Sequence, residues 1–467
     1  MKKNLLKRVI VGMGVVLLLG SMIITSGVSA QERKTPWEGK TVKVLAYGQD
    51  WCFHPLINKD GTKTPVLLEF EKKMGIKVNF EFYGEDVVRT KAMLDLASHT
   101  GQYDLIASEV WLLPGFAGYI ESLDSYIKDW PNPEYFSLSD FSPASLDACR
   151  WSGHLYSLPI YEFNAAIIYR KDLLKKYGIK VPVDMEELTE AVKKLTLDTT
   201  GDGKIDIYGI TGRGRRGEEP TITATGYAWA YGGSWFEGNA STAYEIKEKK
   251  AKPTVNTPEF IAGFEKYCGL LRDYGDPGQS NWSYVEANKA FAEGRAAFYV
   301  DATTLYFVLR DLVRESGFFS PDDVGFAPSP VGPAGRHVQS FWSYQFCINK
   351  DSEVKLAAWQ VLQFFASLQF QEAAAKLGAN SSPRLDVLKS EVLKNILGAE
   401  SMDTLIKIKT ELTQTEYMPR VPEYAELCDI LGTAASMVIS GEKTAKEALE
   451  EANKAMYKVM EAGGYYR

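Results

Sequence analysis

The residues able to do chemistry are scattered along this chain rather than clustered. Four histidines are present, His54, His99, His154 and His337, and none falls in HExxH; no serine sits in GxSxG. Ser352-Glu-Val-Lys355 matches SxxK in composition, but a serine just ahead of an apolar periodic stretch is better used as a helix cap. No nucleophile–base pair is legible, so no catalytic residue is assigned. Lone acids stand near the ends of expected strands, at Asp50, Glu109, Glu162 and Asp301. They suit hydrogen bonds to sugar hydroxyls as well as acid–base work. Ten Trp and 25 Tyr supply aromatic faces with hydrogen-bonding edges, which match a sugar ring's CH face and hydroxyl rim. For any single Trp, core packing competes with that role.

Two glycine-bearing loops have spacings that ligands use. Gly212-Arg-Gly-Arg-Arg-Gly217 matches GxGxxG, but Glu218-Glu219-Pro220 follows, and two acids there would repel a pyrophosphate. A mobile loop is the plainer expectation. Asp198-Thr-Thr-Gly-Asp-Gly-Lys-Ile-Asp206 resembles the first nine positions of a calcium loop, with oxygens from Asp198, Thr200, Asp202 and Asp206. Position twelve is Gly209, where a bidentate Glu belongs. Calcium and an Asp-Gly turn ahead of a strand both stay open. The five cysteines, Cys52, Cys149, Cys268, Cys347 and Cys428, lie far apart with no CxxC, which argues for buried small hydrophobes over a metal site or a full set of disulfides. No other cofactor is expected.

The elements that must position these residues follow from periodicity. Thr41-Val-Lys-Val-Leu-Ala-Tyr47 alternates as a strand does; 65–74 reads as a helix stopped by Gly75; 76–82 alternates again. A helix fits 86–98, with Val87, Met93, Leu94 and Ala97 as candidate apolar positions, and 103–107 is a third strand. That βαβαβ order predicts a parallel sheet covered by helices, with ligands outside the strands' carboxyl ends, at 48–54 and 108–115. A second α/β unit follows. A capping box at Asp184 opens a helix, 220–231 is helical up to Gly232-Gly233, Ser352 opens one long helix to Leu377, and Thr444 caps a last helix.

Composition sets the class. The 467 residues are 45% hydrophobic with a formal charge of −7, which suits two or three folding units with a sizeable core and argues against nucleic-acid binding. Lys2, Lys3, Lys7 and Arg8 precede an apolar stretch over 9–24, and Val28-Ser29-Ala30 offers small residues before Gln31. This reads as a secretory signal peptide over 1–30, cleaved near Ala30, with an uncleaved anchor as the rival. No second long apolar run argues for a polytopic transporter.

Five stretches, in order, carry a family resemblance. They are the exported N-terminus leading into Val42-Lys-Val-Leu-Ala-Tyr-Gly48; Tyr103-Asp-Leu-Ile with Gly118-Tyr-Ile-Glu-Ser-Leu-Asp124; and Gly153-His-Leu-Tyr-Ser-Leu-Pro159 running to Gly178. Then come Ala290-Phe-Ala-Glu-Gly-Arg-Ala-Ala-Phe298 before Pro328-Ser-Pro-Val-Gly-Pro333, and Met418-Pro-Arg-Val-Pro422 with 441–456. Together they resemble the bacterial extracellular solute-binding proteins of family 1, the maltose-type sugar receptors of ABC importers. The resemblance implies a two-lobed α/β fold of the periplasmic-binding-protein type (type II), each lobe a sheet flanked by helices. It implies three hinge crossings, near 160–162, 326–329 and 375–381. Lobe one would hold 37–159 and 329–376, and lobe two 162–326 and 380–467. It also implies an exported monomer, periplasmic or extracellular, that carries a carbohydrate to ABC permease subunits.

On that frame, one crevice is expected to gather Gln49, Asp50 and Trp51 after the first strand and Ser108, Glu109 and Trp111 after the third. Tyr161 and Asn164 flank the first crossing, Asp301 follows a strand of lobe two, and Trp342 and Tyr344 follow the second crossing. Trp111 and Trp342 are expected to stack on sugar rings, with Asp50, Glu109 and Asp301 accepting hydroxyl hydrogen bonds. Some positions depart from the maltose pattern. Thr304 and Cys428 stand where maltose receptors carry stacking aromatics, and Phe341-Trp342-Ser343-Tyr344 replaces the usual Gly-Gly. Maltodextrin is therefore not the first expectation, and Arg213, Arg215, Arg216 and His337 keep an acidic sugar open. The competing functions are the same fold with a non-sugar solute, and an exported carbohydrate-active enzyme.

Overall fold

The first strand, β1 (Thr41–Tyr47), forms where the alternation demands it, with Val42, Val44 and Ala46 fully buried. The computed structural model describes residues 35–48, 55–58, 60–377 and 381–467. Residues 1–30, expected to be a signal peptide, and Gln49, Asp50 and Trp51 lie outside them. The first helix, Pro65–Met74, has Thr64 as its cap and ends on Gly75 at φ 66°, a left-handed turn that glycine takes without strain. Then come β2 (Lys77–Tyr83), the helix Glu85–Ser98 and β3 (Leu105–Glu109). β1 pairs in parallel with both β2 and β3, as the βαβαβ order predicts.

Two expectations are corrected here. The helix 85–98 buries Val88, Ala92, Asp95 and Leu96, while Val87, Met93, Leu94 and Ala97 face solvent. Asp95 wins a buried place because its carboxylate accepts the backbone N–H groups of Gln102 and Tyr103 and the Asn349 amide. The single helix expected over 352–377 is two, Lys355–Phe365 and Leu368–Lys376. Ser367 breaks it: its Oγ accepts the Phe370 N–H at 3.2 Å and starts the second helix. Ser352 lies just ahead of the first of these helices, donating to Asp104 at 2.6 Å.

A two-strand ribbon of β4 (Arg150–Trp151) and β5 (His154–Leu155) leads to β6 (Ser157–Phe163). A single residue, Asn164, separates β6 from β7 (Ala165–Arg170), and these two strands belong to different sheets. The second sheet adds β8 (Tyr208–Thr211), β9 (Ala296–Ala302) and β10 (Val324–Pro328), in the order β10-β7-β9-β8. The chain then runs along this second lobe, with Val331 bridged to Asp184, before β11 (Trp342–Ile348) returns to the first sheet. There β11 lies antiparallel between β3 and β6, giving the order β2-β1-β3-β11-β6.

Residues 36–467 form one unit with two larger sheets, each covered by helices, and the β4-β5 ribbon. The first lobe's core includes Phe70 stacked on Phe364 at 4.1 Å and the buried Trp359, whose indole donates to Trp130 O at 2.8 Å. Losing a buried ring such as Phe364 costs about 3–5 kcal/mol by the behaviour of core aromatics. Near the inter-sheet crossing, Lys409 and Glu162 form an ion pair at 3.1 Å with 0% and 2% side-chain exposure, and Ser145 donates to the same carboxylate. Lys409 sits in a short π-helical turn, Ile408–Leu412. Cys149, Cys268, Cys347 and Cys428 are free and buried, and burial pushes their thiols up. No helix among the described residues is long and apolar enough to cross a membrane.

Candidate functional site

Strand alternation builds one wall of a cavity. Trp342 and Tyr344 lie two apart on β11, and Tyr161 and Phe163 two apart on β6, so all four share a face. The antiparallel register sets Trp342 opposite Phe163 and Tyr344 opposite Tyr161. The Trp342 and Phe163 rings are parallel within 5° at 6.2 Å, and Tyr47 meets Tyr344 edge-on at 5.3 Å. Facing this wall are Arg213, Glu218, Glu219, Tyr284, Asn288 and Thr304 of the second lobe. This open-mouthed cavity has a volume of about 420 Å³, and a second of about 710 Å³ shares Glu85, Arg89, Glu218, Glu219 and Tyr284 with it. Gly48, at the carboxyl end of β1, lines the second cavity.

The polar groups are organised around two arginines. Arg89 comes from the second turn of the helix Glu85–Ser98. Its Nε and Nη2 donate to Glu109 at 3.1 and 3.0 Å, and its Nη1 crosses to Glu218 of the second lobe at 3.2 Å. The guanidinium lies 4.6 Å from the Trp111 ring centre. Tyr47 Oη donates to Glu109 at 2.6 Å, and Tyr344 Oη to Glu85 at 2.7 Å. Arg213 follows β8 and grips Asp301 at 2.6 and 3.0 Å, and Ser340 also donates to Asp301.

Burial sets the proton affinities. Glu218 is pushed up to about 8, first by desolvation and then by Glu109 and Glu85, with Arg89 pulling the other way. Desolvation also raises Glu109 above the usual carboxylate range, against the pull of Arg89. Arg89 and Arg213 are held firmly charged by their carboxylate partners, which outweigh the cost of burial.

The structure therefore sorts the expected residues. Tyr161, Trp342 and Tyr344 stand on the cavity wall. Glu109 and Asp301, at 0% and 1% exposure, stand behind it with their oxygens committed to arginines, so they do not take the ligand-accepting role expected of them. Trp111 is packed between Trp342 at 5.4 Å, Tyr424 at 5.2 Å and the Arg89 guanidinium, which leaves no face for a sugar ring. Ser108 is buried inside β3, and Asn164 donates to Thr413 at 2.9 Å between the sheets. Of the two departures from the maltose pattern, Thr304 lines the cavity, while Cys428 is buried behind it, its carbonyl accepting from Thr221.

Sequence reasoning missed Glu85, Arg89, Glu218, Tyr284 and Asn288. Glu218 was visible only as an obstacle to a dinucleotide. The loop before it is seated rather than mobile. A Cβ on Gly432 would lie 1.5 Å from Gly217 O, so the loop rests directly on the helix Tyr424–Ile439. The 198–206 loop also closes on itself. Asp198 accepts the Gly201 and Gly203 N–H groups at 2.6 and 2.8 Å, and Asp206 accepts Thr199 N–H at 2.7 Å. Those bonds make a turn, and among the described residues no group of three or more His, Cys, Asp or Glu is placed to hold a metal ion.

Comparison with known proteins places this geometry. The mannitol-binding protein of Pseudomonas aeruginosa is 25% identical over 398 residues, covering 82% of this chain and 86% of its own. The erythritol/L-threitol-binding protein of Mycolicibacterium smegmatis is 24% identical, covering 81% of each. A solute-binding protein of Agrobacterium radiobacter, solved with ribitol, superposes with a TM-score of 0.74 at 24% identity, covering 91% of this chain and all of its own. The family model for the bacterial extracellular solute-binding proteins matches residues 56–372. The chain belongs to the bacterial extracellular solute-binding proteins.

Proposed function

We propose that the chain is an exported receptor that captures a sugar or sugar alcohol between its lobes and delivers it to an ABC permease. The observation that carries this reading is the aromatic wall of Tyr161, Phe163, Trp342 and Tyr344, set against hydrogen-bonding groups of the other lobe. Aromatic faces take CH groups, and the polar side orients hydroxyls. The cavity, about 420 Å³, lies at the small end of the range of small-molecule sites, about 300–1,000 Å³. The named ligands of the relatives, mannitol and erythritol or L-threitol, are small polyols too.

The reading is of binding without turnover, by a monomer. The test is calorimetry of the protein lacking residues 1–30 against mannitol, ribitol, erythritol, maltose and monosaccharides, with recovery of the ligand by mass spectrometry. Saturable one-to-one binding with the ligand intact is expected. Steady product formation, or no binding across the panel, overturns it.

A further inference from the structure

The loop arginines left an acidic sugar open in the sequence; the structure answers that question from the pairing of charges. A carboxylate or phosphate ligand needs a guanidinium or ammonium whose charge is not already matched. Arg89 spends Nε and Nη2 on Glu109 and Nη1 on Glu218. Arg213 spends Nε and Nη2 on Asp301. Arg215 is paired with Glu219 at 2.6 Å and Arg216 with Glu442 at 3.3 Å, and His337 Nδ1 is engaged with Ser329 O. Among the described residues, every arginine lining either cavity is therefore matched by a carboxylate of the protein.

The balance then falls on the acidic side. Four acidic side chains, Glu85, Asp86, Glu109 and Glu218, surround the one Arg89 guanidinium, with Glu85 and Asp86 each at 3.8 Å. Even leaving Glu218 aside, three acidic side chains share that single guanidinium. Glu109 and Asp301 are buried, so they cannot swing away to release their arginines to a ligand. An anionic ligand would enter as one more negative charge beside buried carboxyl groups, where like charges repel. A hydroxyl meets the opposite situation. Among the described residues, Glu218 Oε1, Asn288 Oδ1 and Trp342 Nε1 belong to the cavity wall and have no hydrogen-bond partner. Asn288 Oδ1 accepts, Trp342 Nε1 donates and the Glu218 carboxyl can do either, a mixed set that neutral hydroxyl groups can satisfy.

We propose that this cleft selects against anionic carbohydrates, and that its ligand is a sugar or sugar alcohol without carboxylate or phosphate. The proposal rests on the receptor reading above. Glu85, Glu109 and Asp301 are then specificity-determining residues that act by occupying or outnumbering the arginines.

The test uses matched pairs on the protein lacking residues 1–30: mannitol with mannonate, ribitol with ribonate, glucose with glucuronate, by calorimetry at neutral pH. In any pair where the neutral member binds, the acid is expected to bind at least tenfold more weakly. Asp301→Asn, which releases Arg213, and the milder Glu85→Gln, on a partly exposed side chain, are each expected to narrow that gap. An acid that binds as tightly as its neutral partner overturns the proposal, and so does a gap that neither folded variant narrows. Failure of every compound, neutral or acidic, refutes the receptor reading instead.

Discussion

Glu218 offers a pH-dependent stability that can be worked from its surroundings. Its Oε2 accepts Arg89 Nη1 at 3.2 Å, while Oε1 is buried with no partner among the described residues. Glu109 and Glu85 face it from the first lobe, and Cys428 and Tyr424 lie behind it with burial holding both protonated at neutral pH. The carboxyl sits at about 8 in the folded chain against an ordinary 4.5. The folded state therefore holds this proton more tightly than the unfolded state. Below pH 4.5 both states are protonated and the group is neutral to stability. As pH rises from 4.5 to about 8, the unfolded state releases its proton first, and stability falls. The full difference is on the order of 5 kcal/mol at about 1.4 kcal/mol per pH unit. With 23% of the side chain in contact with solvent, a loss of ~2–3 kcal/mol is expected after screening. Glu218→Gln cannot titrate, so it should gain stability relative to the parent across that window, whatever constant offset its changed contact with Arg89 brings. Urea denaturation of both proteins at half-unit steps from pH 4.5 to 8.5 measures the difference. Parallel stability curves would refute the burial argument.

Three further outcomes are expected. Trp342→Ala, which removes a ring from the cavity wall, should weaken ligand binding by about 2 kcal/mol, close to thirtyfold, as lost aromatic anchors do; calorimetry with unchanged affinity would contradict this. Lys409→Met leaves the Glu162 charge buried and alone and should cost about 3–5 kcal/mol in urea denaturation, whereas adding Glu162→Gln should recover most of it. Chelation with EDTA should leave both melting temperature and ligand affinity unchanged, because the 198–206 carboxylates are already used by backbone N–H groups; a drop in either shows that a cation holds that turn.

What could be read from the chain depended on how far apart the interacting residues are. β1 and the helix Pro65–Met74 were legible because their signals are local: alternation in the strand and a stopping glycine after the helix. Tyr161, Trp342 and Tyr344 were legible because strand ends in an α/β lobe point at a cleft. The buried face of the helix Glu85–Ser98 was not, because a polar side chain, Asp95, owes its place to partners outside the helix, including Asn349. Nor was the charge network. Arg89 and Glu218 meet across 129 positions of chain, so no spacing announces them, and once met they claim Glu109 from the ligand. The roles assigned to Glu109, Trp111 and Asp301 changed for that reason: their positions followed from topology, but their partners did not.

The placement of β11 bears on how the molecule is made. It lies between β3 and β6, so β6 has no partner in the first sheet until residues 342–348 have been synthesised. A nascent chain that has emerged only through β6 and β7 carries β3 and β6 without the strand that joins them. The N-terminal lobe therefore cannot complete itself early, even though its first strands come first. Late completion means that the N-terminal lobe gains its full sheet only once most of the chain has been made. Pulse-labelled intermediates truncated before Trp342 should accordingly be far more sensitive to protease than the finished receptor.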